Sequence, residues 1–226
     1  MAPARKTFKK KIYKKKTTKP VNSMVTYNKT SVPMGLGFPK RMTMCHKYHE
    51  TVNLSSTMGV LSTYNFSANG MFDPNLTATG LQPYYFDQCA ALYDHYCVIG
   101  SKITFTVLNL GLGFPGIFGC YVNDDTAVTP NIDGLVTNSN GFHKYINYGQ
   151  TNVVTAKLGW SGKKIFGKAF NLGSATMKGD ALSNPVETSV FTLYMKPLDL
   201  STQTLLFDVN IEYIAIWDEL RDVPNS

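Results

Sequence analysis

The sequence predicts an all-β fold: a single eight-stranded jelly roll of two antiparallel sheets behind a basic N-terminal arm. Three observations predict it. About eight segments alternate apolar and polar residues with a period of two, only one segment has helical spacing, and positive charge is crowded into the first twenty residues.

The strands can be taken in order. MTMCHKYHETVNL at 42–54 alternates and is rich in β-formers, and VLSTYNFSA at 60–68 follows the Met58-Gly59 break. VIGSKITFTVLN at 98–109 puts Ile103, Phe105 and Val107 on one face and Lys102, Thr104 and Thr106 on the other. IFGCYVN at 117–123, FHKYINY at 142–148, TNVVTAKL at 151–158 and SVFTLYMK at 189–196 are shorter. LLFDVNIEYIAIW at 205–217 is the clearest, with Leu205, Phe207, Val209, Ile211, Tyr213, Ala215 and Trp217 alternating against Asp208, Asn210 and Glu212.

One helix is expected, in FDQCAALYDHY after Pro83, where Phe86, Cys89/Ala90, Tyr93 and Tyr96/Cys97 recur at helical spacing. It predicts Phe86 and Tyr93 on the packed side and Asp87 and Asp94 in water. The loops at 69–85, 124–141 and 159–187 are long, which suits a two-sheet jelly roll better than an up-and-down barrel. Strands alternating with helices, as an α/β fold requires, are absent.

The division along the chain follows composition: a basic arm over 1–24, a Gly/Pro-punctuated linker over 25–41, and the shell of strands over 42–226. The arm carries Arg5, Lys6, Lys9, Lys10, Lys11, Lys14, Lys15, Lys16 and Lys19 without an acid in its first twenty residues. The other 206 residues hold 13 positive and 15 acidic groups, a charge of −2 against +7 for the whole chain. With few large apolar groups to pack, residues 1–24 are expected to stay disordered alone. Phe8, Ile12 and Tyr13 interrupt the charge and suit either a weak helical stripe on a partner or local stacking. Nine lysines and arginines beside a near-neutral body point to phosphate-backbone binding, sequence-independent and salt-sensitive, with nuclear import as an added role.

No run reaches the roughly 18 apolar residues of a membrane span, and no apolar stretch follows the basic N-terminus as in a secretory signal. Cys45, Cys89, Cys97 and Cys120 are therefore read as reduced thiols, and the sequons at Asn28, Asn53, Asn65 and Asn75 as unused. Cys45, His46 and His49 lie close in sequence, but a strand puts His46 on the face opposite the other two, so no metal site is expected. Asp124, Asp125 and Asp133 share one long loop and read as solvated acids rather than cation ligands.

The catalytic motifs fail on context. GLGFPG at 111–116 matches GxGxxG, yet Pro115 and IFGCYVN read as a turn into a strand, with no helix to face a pyrophosphate. The GLGF strings at 35–38 and 111–114 run into Pro39 and Pro115, which lack the amide a carboxylate-binding loop needs. GWSG at 159–162 is one residue short of a nucleophile elbow, and no strand-turn-helix is expected around it. No catalytic residue and no cofactor are expected.

NFSANGMFDPNLTATGLQPYYFDQCAALYDHYCVIGSKITFTV at 65–107 resembles the capsid proteins of circular Rep-encoding single-stranded DNA viruses, the circovirus-like group. CHKYHETVNL at 45–54, YVNDDTAVTP at 121–130 and VNIEYIAIWDE at 209–219 agree with it, so the resemblance runs from about residue 40 to about residue 220. Such proteins often carry TGTGHQP where this chain has TATGLQP, with Ala78 and Leu81, and many have arginine-rich rather than lysine-rich arms. The resemblance implies a non-enzymatic shell protein that assembles with itself into a closed icosahedron, sixty copies in the T=1 case. It also implies the nine basic residues on a single-stranded DNA genome, import machinery and a receptor of the host as partners, and residence in the virion and the host nucleus. No membrane insertion is implied. A non-capsid DNA-binding or movement-type protein with a basic arm is the alternative, and a jelly-roll lectin a further one.

Overall fold

The last strand, β8 (Gln203–Leu220), lies at the centre of the first of two sheets. The computed structural model describes residues 38–108, 114–124, 131–147, 149 and 153–222, and the basic arm lies outside them. On one side β8 pairs antiparallel with β1 (Arg41–Ser56), from Arg41 opposite Asp218 to Ser56 opposite Gln203. On the other it pairs with β3 (Tyr93–Leu108), which in turn pairs with β6 (Val154–Ser161). The second sheet runs β2 (Ser62–Ser67), β7 (Val190–Pro197), β4 (Gly116–Asn123), β5 (Gly141–Ile146), also antiparallel throughout. Two four-stranded sheets whose consecutive strands mostly change sheet make the expected jelly roll.

Period-two alternation explains why the sheets stack. Leu205, Phe207, Val209, Ile211, Tyr213, Ala215 and Trp217 are fully buried between the sheets, with Asp208, Asn210 and Glu212 on the other face. Phe118, Cys120 and Val122 from β4 and Phe191, Leu193 and Met195 from β7 meet them from the second sheet. Each large side chain removed from water there contributes about 1.5–3 kcal/mol. Two buried hydroxyls stitch the layers: Tyr213 Oη donates to Ser67 O at 2.7 Å, and Ser101 Oγ donates to Ala68 O at 2.5 Å.

A smaller core forms on the outer face of the second sheet. The helix α2 (Ile132–Thr137) is capped by Asn131, whose side chain accepts from the Asp133 amide at 3.0 Å. Its Leu135 covers Tyr121 and Tyr194, with Leu61 and Ile132 at the margin. This helix falls in what reads in the sequence as plain loop, because six residues are too few to show a helical period.

The expected helix over 86–96 is corrected. Only Phe86–Ala90 (α1) is helical, and from Tyr93 the chain is already strand, with Tyr93 opposite Leu220 and Tyr96 opposite Trp217. The aromatic spacing that mimics a helix instead places Phe86, Tyr93 and Tyr96 around the Trp217 ring, at 5.5, 6.5 and 5.4 Å between centroids. Phe86 and Tyr93 are buried as expected, while Asp94 accepts from Arg221 Nε at 2.8 Å.

β6 is displaced from the expected 151–158 to Val154–Ser161, and it runs directly into a one-turn helix, α3 (Gly162–Ile165). GWSG therefore does stand at a strand-to-helix junction, contrary to expectation. Ser161 is nevertheless in ordinary extended backbone, φ −144° and ψ 129°, with none of the strain of a nucleophile elbow.

Candidate functional site

All nine basic residues expected to hold nucleic acid, from Arg5 to Lys19, lie outside the described residues. What the structure describes is the body that carries the arm, and its surfaces divide by chemistry.

The outer face of the first sheet is neutralised locally. Arg41 reaches Asp218 at 2.7 Å, Lys102 and Lys47 reach Glu212 at 2.6 and 3.7 Å, and His49 meets Asp208 at 2.6 Å. These bonds hold the Asp218 and Glu212 carboxyls below their ordinary range, mainly through the hydrogen bonds from Arg41 and Lys102. Thr106 and Thr155, and Ser55 and Thr204, join their hydroxyls across strands at 3.1 and 2.8 Å. Such a face is a polar wall without an activated group.

A groove of about 610 Å³ follows the edge of β1, between Cys45, Tyr48 and His49 and the loop carrying Leu81, Tyr84 and Tyr85. The Tyr84 amide donates to Lys47 O at 2.9 Å, which covers part of the open strand edge. Leu81 and Tyr84 are 82% and 72% exposed. A second apolar cluster, Met58, Val60, Leu198 and Leu200, is exposed where the β1–β2 and β7–β8 loops touch. The touching is tight: a Cβ on Gly59 would lie 2.9 Å from Asp199 O. Exposed side chains of this size suit contact with another protein surface.

Beneath the Leu81 loop sits a buried polar cluster. Asn75, fully buried, donates to Glu50 Oε1 at 2.8 Å, Glu50 Oε2 at 3.0 Å and Tyr64 Oη at 2.8 Å, and Tyr48 Oη donates to the same carboxylate. Burial first, and Glu50 second, raise the Asp73 carboxyl above its ordinary range. The cluster pins the FDPNLTATG loop to β1 and β2, so it is scaffold.

The remaining sequence candidates fall apart in space. His46 is buried, while Cys45 and His49 are exposed on the opposite face of β1. Cys120 is wholly buried and burial pushes its thiol well up, while burial takes Cys97 to about 11. Asp124 is exposed, Asp133 sits in the first turn of α2, and Asp125 lies outside the described residues. Among the described residues no three histidine, cysteine or acidic side chains gather as metal ligands.

One functional candidate escaped the sequence reading. Lys157, Lys163, Lys164 and Lys168 are exposed on β6, α3 and the short 3₁₀ turn after it, and none has an acidic partner among the described residues. The signal was present: residues 134–179 contain six lysines and neither Asp nor Glu. Averaging the body to −2 hid it.

Solved structures resemble this fold at low identity. The 60-mer BFDV capsid protein is similar over 84% of this chain and 100% of that chain, with a TM-score of 0.44 and 12% identity. Cucumber necrosis virus is similar over 82% of this chain and 59% of that chain, with a TM-score of 0.49 and 15% identity. Desmodium yellow mottle tymovirus is similar over 86% of this chain and 97% of that chain, with a TM-score of 0.39 and 16% identity. No family model and no curated protein matches the chain.

Proposed function

We propose that this chain is the shell-forming capsid protein of a circovirus-like virus, with residues 1–24 as the genome-binding arm, 25–41 as the linker and 42–226 as the shell domain. One observation carries the reading: an eight-stranded two-sheet wall without an activated group continues upstream into nine positive charges and no acid. The sequence resemblance over residues about 40 to 220 supports it. The linker boundary touches the wall itself, since Arg41 already pairs with Asp218.

The physics of the parts fits packaging. Lysines are point charges that bind phosphates without reading base edges, so the arm takes any sequence of the circular single-stranded genome. In a T=1 shell of sixty copies, nine charges each bring about 540 positive charges to the interior. The body, at −2, opposes assembly only weakly. The exposed apolar clusters at Leu81–Tyr85 and at Met58, Val60, Leu198 and Leu200 supply surface for copy-to-copy contact. The chain acts without catalysis; its import through the arm precedes assembly in the host nucleus.

Electron microscopy and sedimentation of the purified protein test the assembly half, with uniform megadalton particles expected. A single sharp monomer at every salt and protein concentration overturns it in favour of a DNA-binding protein of another kind. The packaging half is tested by deleting residues 1–20, or by replacing Lys9, Lys10, Lys11, Lys14, Lys15 and Lys16 with Gln. Both should leave shells that protect little nucleic acid from nuclease, while replacement with Arg should preserve protection. Full protection by the deleted form overturns the arm's role.

A further inference from the structure

Lys163, on α3, borders a cleft that the wall reading leaves without a purpose. The cleft has a volume of about 540 Å³, in the range of ligand-sized pockets. Its floor is Ile99 and Ile216, its wall Phe170 and Leu172, and its polar groups are Ser161, Lys163 and Asn171.

The floor is built by a fault in the sheet. β3 and β8 shift register between Val98 and Gly100, so that Ile99 is the one residue there without a partner on β8. Such a bulge re-aims a side chain, and bulges gather beside binding sites. Ile216 stands on the outward side of β8, between buried Ala215 and Trp217. The wall depends on a glycine: a Cβ on Gly162 would lie 2.1 Å from the Phe170 ring, so the ring rests against bare backbone. An aromatic ring and a branched aliphatic floor thus form a slot open to solvent.

Charge decides what the slot accepts. The acids of the same face are taken: Asp218 by Arg41 at 2.7 Å and Lys178 at 3.4 Å, Glu212 by Lys102 at 2.6 Å. Lys163 lines the cleft and Lys168 lies two residues before Phe170, and among the described residues neither has an acidic partner. An apolar slot with a lysine at its edge and another on the adjoining chain is the pairing found where single-stranded nucleic acid binds, bases on an aromatic platform and phosphates on positive charge.

The geometry points to a second nucleic-acid contact on the shell domain: a base of single-stranded DNA stacks on Phe170 over Ile99 and Ile216, and Lys163 and Lys168 hold the flanking phosphates. The Ser161 hydroxyl and the free amide hydrogens of Asn171 meet the base edge; Asn171 Oδ1 already accepts from the Gly173 amide at 2.9 Å. The inference rests on the reading of this chain as a genome-packaging shell protein. It adds that the body, and not the arm alone, engages the strand, and that it engages bases as well as phosphates.

The test uses the full chain with Arg5 and all eight arm lysines replaced by Gln, so that body binding is read without the arm's charge. Fluorescence anisotropy with labelled oligodeoxythymidylate should show residual binding, weaker by about tenfold for an abasic strand of equal length, which has phosphates but nothing to stack. Adding Lys163→Gln and Lys168→Gln should lower the salt slope by about 1.4, at about 0.7 for each phosphate contact on a single strand. Phe170→Ala should abolish the preference for thymidylate over the abasic strand. Because that truncation disturbs packing, Ile216→Trp, which fills the slot from its floor, serves as the second variant and should do the same. Photo-cross-linking of an iodouracil strand should mark the tryptic peptide of residues 169–178.

Equal binding of thymidylate and abasic strands overturns the slot. Tight binding of heparin with none of the oligonucleotide overturns it too, and assigns the lysines to a sulfated glycan. If the arm-substituted chain binds no DNA while the native chain does, the second contact fails and arm packaging stands. If the native chain binds none, both readings fail together.

Discussion

Trp217 Nε1 donates to His46 Nε2 at 2.9 Å, and both side chains are buried. His46 Nδ1 in turn donates to Tyr84 O at 3.0 Å, which assigns the neutral tautomer with the proton on Nδ1. One imidazole therefore ties the core tryptophan to the exposed Leu81–Tyr85 loop.

Burial, offset only partly by the Tyr84 hydrogen bond, holds His46 below the ordinary histidine range of 6.5. The folded state binds its proton less readily than the unfolded chain, so the stability it contributes is full above 6.5 and falls as pH drops towards the folded value. Urea unfolding between about pH 7.5 and about pH 5 should show this loss. His46→Gln should be less stable at the upper pH and show a shallower decline. An unchanged slope would assign the effect to other groups.

Tyr93→Ala should cost a few kcal/mol, in the range of large core truncations, because the ring is fully buried and its hydroxyl donates to Pro39 O at 2.8 Å. Asp94→Ala removes only an exposed pair with Arg221 and should cost under about 1 kcal/mol. Thermal melts of the two variants that coincide would show the face misassigned.

Two strand glycines, one in each sheet, should respond differently. A Cβ at Gly119 would lie 2.1 Å from Phe142 O and 2.5 Å from Tyr194 Oη, and the first of these is backbone that cannot step aside. Gly119→Ala should lose about 1–3 kcal/mol. Gly159 has nothing within 4 Å of its would-be Cβ, so Gly159→Ala should be neutral within about 0.5 kcal/mol. Chemical denaturation of each variant checks the contrast.

Asn75→Asp replaces the donor that serves both Glu50 oxygens with a second buried carboxyl. It should lose about 3 kcal/mol near neutral pH, as for a buried charge left without its partner. The loss should shrink as pH falls, since protonating either carboxyl removes the repulsion and restores a donor. A pH-independent deficit would mean that the hydrogen bonds to Tyr64 and Thr77, rather than charge, hold the loop.

The sheet faces were legible because burial on one side of a strand writes itself into alternate residues; β8 could be read residue by residue from Leu205 to Trp217. The short helices were not. Tyr93 and Tyr96 fit a helical stripe and a strand equally over so few residues, and their pairing with Leu220 and Trp217, more than a hundred positions away, decided between them. β6 was misplaced for the same reason, since its register is set by Gly100 opposite Ser161 and not by local pattern.

The class of fold, the inward faces of its main strands and the segregation of nine positive charges into the arm can be read from the chain alone, because hydropathy alternation and charge are local properties. That β8 lies between β1 and β3, that His46 is held between Trp217 and Tyr84, and that Ile99 and Ile216 meet Phe170 beside Lys163 emerges only on folding. Those relations join residues far apart in sequence, and what selects them is the packing of one sheet against the other, where each side chain's partner is chosen by shape and burial across the whole domain.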